Sequence, residues 1–188
     1  NSSRSIEVHR LITVFDIETS YQIIGKKKDP SFNDPNNFIV IIGLNDEYFF
    51  FNHSEYKGEP DIKSVQDILD KTTLLVGHNI KFDLAWLLAT GFTYSGKIYD
   101  TMIGEYVLNR GVKKSLKLKH CCERRNVHRK SDLTESYIER DISFENIPMK
   151  IVDEYGRQDV LATRALFNSQ MEDFKKPSNK GLINTVKL

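Results

Sequence analysis

Disulfide bonds, membrane-spanning runs and a strong net charge are all missing from this sequence. Its only two cysteines, Cys121 and Cys122, are adjacent, so a bridge between them would be strained and no disulfide framework exists. No apolar run is long enough to cross a bilayer, and the N-terminal residues lack the apolar centre of a signal peptide. The formal net charge is only +1, so no overall basic character announces a nucleic-acid partner. These absences predict a soluble, cytoplasmic protein with reduced thiols and no membrane partner. We also expect the protein to be a monomer.

Glycine-rich phosphate loops of the P-loop or Rossmann type are also missing, which argues against a small-molecule α/β enzyme. His120 and His128 flank the two cysteines, but their spacing does not match the common structural zinc motifs. Two reduced thiols on a helix are therefore the favoured interpretation. With 188 residues, 39% of them hydrophobic, the chain is long enough for one domain with a substantial core.

Hydrophobic periodicity predicts an α/β fold with a mixed central sheet flanked by helices. Strands are predicted over residues 11–17, 38–44, 47–51, 74–76 and 98–100. Helices are predicted over residues 61–71, with Asp61 as N-cap, and over 79–90, 101–109, 115–125 and 147–174. Residues 21–37, rich in Lys, Asp, Pro and Asn, are predicted to form a loop.

The first functional signal lies in the strand Leu11 to Ile17. Because strand side chains alternate, Asp16 and Glu18 point to the same face. Two unpaired carboxylates at the end of an otherwise buried strand are unfavourable, and a divalent metal would remove the repulsion. The alternative is that the strand reaches the protein surface here and that both acids are solvated.

Two further acids follow in suggestive positions. Asp83 comes just after a buried strand, in Gly77-His78-Asn79-Ile80-Lys81-Phe82-Asp83, at the sheet edge where α/β proteins bind ligands. Asp159 lies in the last helix, one turn after Tyr155 and on the same face. Alternatively, Asp83 complements the helix dipole, and Asp159 forms a salt bridge while Tyr155 merely packs.

Taken together, the strand Asp-x-Glu, the Asp after Gly-His-Asn-x-Lys-Phe and the helical Tyr-x-x-x-Asp resemble the DEDD (DnaQ-like) superfamily of 3′–5′ exonucleases, in its tyrosine subclass. The resemblance spans Val14 to Phe167. It is nearest to the proofreading domains of family A DNA polymerases, especially bacteriophage ones, because Tyr99-Asp100-Thr101-Met102 and Gln158-Asp159-Val160-Leu161-Ala162-Thr163 are similar to their sequences. Two features depart from the family pattern: a longer loop over 21–37, and His120-Cys121-Cys122 in a helix.

The resemblance implies a ribonuclease H-like fold and a two-metal site for Mg²⁺ or Mn²⁺. Asp16 would bridge both ions, Glu18 and Asp159 would complete the site of the attacking water, and Asp83 would act at the second ion. Tyr155 would orient that water, since a tyrosine pKa near 10 makes a poor general base. By their positions in the motifs, the residues expected to contact the terminal nucleotides are Thr19, His78, Asn79 and Phe82.

The expected reaction is hydrolysis of single-stranded DNA 3′ ends to nucleoside 5′-monophosphates, as in proofreading during DNA replication. The expected organisation is a flexible N-terminus (1–9), an exonuclease domain (10–174), and a linker with the start of a missing, covalently attached polymerase domain (175–188). A phage-encoded protein would act in the host-cell cytoplasm. The alternatives are a ribonuclease D-like RNA exonuclease and a non-catalytic nucleic-acid-binding domain. The presence of all four carboxylates and the tyrosine argues against the non-catalytic domain.

Overall fold

The computed structural model describes residues 11–128 and 134–186. Within these ranges the strands are β1 (Ile12–Thr19), β2 (Gln22–Ile24), β3 (Lys27–Asp29), β4 (Ile39–Leu44), β5 (Glu47–Phe50), β6 (Leu74–Gly77) and β7 (Lys97–Asp100). The α-helices are α1 (Ile62–Lys71), α2 (Ile80–Ala89), α3 (Thr101–Leu108), α4 (Leu118–Arg125), α5 (Glu135–Ile138), α6 (Met149–Lys175) and α7 (Ile183–Val186). Short 3₁₀ helices cover Phe144–Asn146 and Pro177–Asn179.

Five of the strands form one mixed sheet in the order β5-β4-β1-β6-β7. β1 is central: it pairs antiparallel with β4 and parallel with β6, which in turn pairs parallel with β7. The mixed central sheet that the sequence predicts is therefore confirmed. The parallel pairs β1–β6 and β6–β7 end on the same side of the sheet, so the residues that follow them meet there.

Alternation along β1 directs its side chains into two different cores. Phe15 and Ile17 pack in the cluster that includes residues of α1 and α2. Val14 packs on the opposite face, in the cluster that includes Val160 and Phe167 of α6. Since residues 14, 16 and 18 share a face of the strand, Asp16 and Glu18 lie on the side that α6 covers.

Gly43 of β4 allows α6 to lie close against the sheet. A Cβ atom at this position would be 2.8 Å from Cγ2 of Val160 and 2.9 Å from Cε1 of Tyr48. Gly43 is also the register partner of Asp16. The glycine therefore sets the distance between the strand that carries the first acid and the helix that carries Asp159.

The prediction of a loop over residues 21–37 is wrong in part, because β2 and β3 form an antiparallel hairpin there. Its turn is Gly25-Lys26, with Gly25 at φ +65°, a conformation that glycine adopts without strain in two-residue hairpin turns. The many polar residues of this stretch hid two short strands of only three residues each.

The helix expected over 115–125 begins three residues later, at Leu118. Lys117 has extended backbone angles, and the carbonyl of Leu116 is held by the side chain of His78. The other predicted helices agree with the structure to within a few residues, and Asp61 caps α1 by accepting a hydrogen bond from the Ser64 N–H at 3.0 Å.

The segment after α6 lies against the rest of the domain. Val186 of α7 is only 2% exposed and packs with residues of α3 and α6 in the second core cluster. Arg110 donates a hydrogen bond to the carbonyl of Ser178 at 2.7 Å. The flexible N-terminus expected over 1–9 lies outside the described residues. Within the described ranges, no helix is both long and apolar enough to cross a membrane.

Candidate active site

Three carboxylates from β1 and α6 meet on one side of the sheet. One oxygen atom from each of Asp16, Glu18 and Asp159 lies within 4.8 Å of the other two. The strand alternation that the sequence predicts brings the first two together, and α6 adds the third. The register between β1 and β4 shifts between Glu18 and Thr19, and such irregularities commonly re-aim side chains beside active sites.

The donor set of this cluster suits a hard divalent cation. All of its possible ligands are carboxylate oxygens, which Mg²⁺ and Mn²⁺ prefer and which zinc sites use less often than nitrogen or sulfur. Asp159 is only 6% exposed, and placing three like charges together in a partly buried site is unfavourable without a counter-ion. The cluster can therefore hold a divalent metal ion.

Asp83 lies next to this cluster without belonging to the group of three. It occupies the first turn of α2 and is 5% exposed. Burial raises the pKa of the Asp83 carboxyl well above its usual value, and the negative charges of Asp16, Asp100 and Asp159 raise it further. The fourth predicted acid thus shares the electrostatic environment of the other carboxylates, where a cation would relieve the repulsion.

Tyr155 approaches the same cluster from α6. Its ring packs on Phe144, with ring centroids 5.6 Å apart. Burial raises the pKa of Tyr155 far above its usual value, with further increases from the charges of Glu18 and Asp159. The hydroxyl therefore stays protonated at neutral pH and can donate a hydrogen bond, but it cannot serve as a base.

Asp100, which sequence reasoning did not select as a site residue, fixes the turn that leads to Asp83. Its Oδ1 accepts hydrogen bonds from the backbone N–H groups of Asn79 at 3.0 Å and Met102 at 2.8 Å. Its Oδ2 accepts from the N–H of Ile80 at 3.2 Å. Asp100 ends the strand next to β6, so the sheet-edge rule that pointed to Asp83 could also have found it.

The four predicted substrate contacts differ in their accessibility. Thr19 is buried, and Phe82 packs against the core cluster beneath α2. Both ring nitrogens of His78 have protein partners, namely Oγ1 of Thr101 and the carbonyl oxygen of Leu116, each at 2.8 Å. Asn79 has an exposed side chain and a left-handed backbone with φ 59°. Of the four, Asn79 is therefore the side chain placed most openly for contact with a ligand.

The two cysteines are both buried in α4. Sγ of Cys122 lies 3.6 Å from the carbonyl oxygen of Ala162. Among the described residues, the group that could hold a metal ion is the carboxylate cluster, and neither cysteine belongs to it. The pair lies on a helix, as the sequence predicts.

A family model of 3′–5′ exonuclease domains matches residues 14–173. DNA polymerase I of Borreliella burgdorferi is 26% identical over 127 residues, which are 68% of this chain and 14% of that protein. The chain thus spans about one seventh of the curated relative it matches.

Several solved structures are similar to this one, among them those of two proteins. NrnC of Brucella melitensis, in its structure with bound pGG, gives a TM-score of 0.59 at 18% identity, covering 91% of this chain and 76% of that one. Its structure with bound Mg²⁺ gives 0.56 at 17% identity, covering 92% and 77%. The catalytic core of RRP6 from Trypanosoma brucei gives 0.55 at 16% identity, covering 94% and 44%.

These structural similarities establish the ribonuclease H-like fold, and the family model covers the strand, helix and turn that carry the clustered acids. The chain therefore belongs to the 3′–5′ exonuclease family, of the DnaQ-like type, whose members are metal-dependent phosphodiester hydrolases.

Proposed function

We propose that this protein removes nucleotides from the 3′ end of single-stranded DNA, releasing nucleoside 5′-monophosphates, and that it serves as the proofreading domain of a DNA polymerase. The meeting of Asp16, Glu18 and Asp159 carboxylates within 4.8 Å carries the proposal. Phosphodiester hydrolysis adds negative charge to an already anionic phosphate, so it needs cations held in this way. The 26% identity with a DNA polymerase I supports DNA as the substrate and a polymerase as the attached partner.

Asp16, Glu18 and Asp159 would hold the metal, with Asp83 at the edge of the site. Two bound Mg²⁺ or Mn²⁺ ions would supply Lewis-acid stabilisation of the attacking and leaving oxygens. Tyr155, kept protonated by its surroundings, would donate a hydrogen bond that orients the attacking water. Asn79 would contact the terminal nucleotides directly. The positions of Thr19, His78 and Phe82 would shape the site that binds these nucleotides.

We further propose that residues 10–174 form the exonuclease domain and that 175–188 lead towards the polymerase. A ribonuclease D-like RNA exonuclease is the second candidate, because carboxylates that bind metal do not read the 2′-OH group. The structural likeness to RRP6 and to NrnC, which binds pGG in its structure, makes this alternative worth testing.

The proposal is tested with a 5′-labelled single-stranded DNA oligonucleotide and the matched RNA, each with Mg²⁺, with Mn²⁺ and with a chelator. We expect a metal-dependent ladder that shortens from the 3′ end of the DNA. Asp16→Asn should lower the rate at least about a thousandfold, equivalent to several kcal/mol of lost transition-state stabilisation. Tyr155→Phe should lower it about 10- to 100-fold, because one hydrogen bond to the water is lost.

Glu154→Gln is the matched control, because Glu154 is an exposed acid one residue before Tyr155 on the same helix and should leave the rate unchanged. Retained activity in Asp16→Asn would disprove the assignment of the site. A ladder from RNA alone would replace the proofreading proposal with the RNA exonuclease. A folded protein that binds the oligonucleotide but yields no product would support the non-catalytic alternative.

A further inference from the structure

Positive charge is concentrated in one segment of an otherwise nearly neutral chain. Between Arg110 and Arg125 the sequence has seven lysines and arginines and a single acid, Glu123, while the whole chain carries a net charge of only +1. The segment comprises the loop after α3 and the whole of α4. Such a concentration of like charge is destabilising by self-repulsion unless anions balance it.

Several of these cations are balanced inside the protein. Arg124 and Arg125 form ion pairs with the buried Glu105, at 3.2 and 2.6 Å. Arg125 also pairs with Asp173 at 2.6 Å, and Arg110 donates to the carbonyl oxygen of Ser178. These three arginines therefore have a structural role, because their contacts hold α4 and the loop before it against α3, α6 and the segment after α6.

Four lysines remain, of which Lys119 is half-buried and three are exposed. We call the exposed three, Lys113, Lys114 and Lys117, the lysine strip. Among the ion pairs between residues in 11–128 and 134–186, none involves a lysine of the strip. All three are exposed and fall within five consecutive residues. Their charge is therefore available to an anion from outside the domain.

The backbone within the lysine strip is fixed to the turn that leads to Asp83. The carbonyl oxygen of Leu116, between Lys114 and Lys117, is hydrogen-bonded to Nε2 of His78 at 2.8 Å. His78 opens the turn that leads to Asp83, and its other ring nitrogen bonds Oγ1 of Thr101. A second contact, between Oγ of Ser115 and Nδ1 of His120 at 2.6 Å, holds the loop against the start of α4.

We propose that the lysine strip binds the phosphates of the single strand upstream of the scissile 3′ end, so that the protein binds oligomers more tightly than dinucleotides. This inference rests on the proposed function, since it names how that site would hold a longer strand. Proteins that bind single strands without reading sequence use basic grooves that follow the backbone. A strip of cations that is anchored to the turn before Asp83 separates the two tasks: the acids attract metal, and the lysines attract the remaining phosphates.

The test measures binding and cleavage separately. Binding of a fluorescent single-stranded DNA of about 12 nucleotides, within the range of known single-strand sites, is followed by anisotropy in the presence of chelator over a series of salt concentrations. The strip variant Lys113→Gln, Lys114→Gln, Lys117→Gln is compared with wild type. The control variant is Lys71→Gln, Lys97→Gln, two exposed lysines at the opposite end of the sheet from the acids: Lys71 precedes the amino end of β6, and Lys97 begins β7.

We expect the Kd of the strip variant to rise about tenfold at low salt. The slope of log Kd against log salt should fall by about 2, since each phosphate contact with a single strand contributes about 0.7. The control variant should match wild type in both respects. In Mg²⁺, the ratio of KM for the oligomer to KM for a dinucleotide should rise by a similar factor in the strip variant.

An unchanged Kd and salt slope in the strip variant would overturn the inference, and so would an equal loss in the control variant. Wild-type protein that binds the oligomer through these lysines but cleaves neither substrate would refute the proposed function and leave the lysine strip established as a nucleic-acid surface. The two proposals therefore fail on different measurements.

Discussion

Replacing the Asp100 carboxylate by an amide tests whether this residue holds the turn before Asp83. The amide of Asp100→Asn has the same shape as the carboxylate but only one acceptor oxygen. If that oxygen keeps the two bonds of Oδ1, to the N–H groups of Asn79 and Met102, the new NH₂ group faces the N–H of Ile80. A buried donor is then left without an acceptor.

An unsatisfied buried donor costs about 1–3 kcal/mol of folding free energy. Removing a negative charge near Asp83, whose pKa the Asp100 carboxylate helps to raise, works in the opposite direction. We therefore expect Asp100→Asn to lower the free energy of unfolding by about 1–2 kcal/mol. Asp100→Ala, which strips the acceptor from all three N–H groups, should cost about 3–6 kcal/mol.

The measurement is urea unfolding followed by circular dichroism at neutral pH without metal, with an unchanged slope as evidence of a comparable transition. Asp61 provides the matched control, because it is an exposed N-cap that accepts a single N–H bond, from Ser64. Asn and Asp cap helices about equally well, so Asp61→Asn should change stability by less than about 0.5 kcal/mol. The reasoning is refuted if Asp100→Asn is as neutral as Asp61→Asn, or as damaging as Asp100→Ala.

Three further predictions concern the metal site and its support. At a free Mg²⁺ or Mn²⁺ concentration about 100 times Kd, the wild-type Tm should rise by about 5–10 °C in a thermal-shift assay, and a variant with Asp159→Asn should lose this rise. Gly43→Ala should destabilise the protein by about 1–3 kcal/mol in urea unfolding and lower exonuclease activity, because the new methyl group would push Val160, next to Asp159, off the sheet. Glu105→Gln should cost about 1.5–3 kcal/mol at neutral pH, because Arg125 loses its charged partner Glu105 and keeps only Asp173. Burial alone would raise the pKa of Glu105, but the hydrogen bond and charge of Arg125 hold it below its usual value. The extra stability of the wild type over Glu105→Gln should therefore be complete above the unfolded-state pKa of about 4.3, and it should disappear as the pH falls through the lower folded-state pKa. Acid unfolding of both proteins measures this.

Much of the carboxylate cluster could be predicted from local pattern. The period of two along a strand places Asp16 and Glu18 on one face, and the helical period places Tyr155 and Asp159 on another. Both periods are properties of the backbone alone, so they hold before any tertiary contact forms. The apolar residues around each acid also show that these elements are buried, and this is why their charges needed a functional explanation.

The hairpin within residues 21–37 shows where local pattern was insufficient. Strands of three residues contain too few alternations to be separated from a polar loop, and only the pairing of β2 with β3 defines them. The predicted start of α4 was wrong for a related reason. Ser115 and Leu116 suit a helix, but the hydrogen bond from His78 to the Leu116 carbonyl holds their backbone outside the helix.

The sequence by itself determined which residues are acidic, which strand or helix carries each of them, and which face of that element they occupy, because these follow from composition and backbone period. Only the tertiary structure decided that β1 and α6 meet closely enough to bring three carboxylates within 4.8 Å. That distance depends on the order of the strands in the sheet and on Gly43, whose lack of a side chain lets α6 approach the sheet. Both bring together residues that are more than a hundred positions apart in the chain. Likewise, the role of Asp100 and the place of the lysine strip became visible only once the turn at His78 had brought distant segments into hydrogen-bond contact.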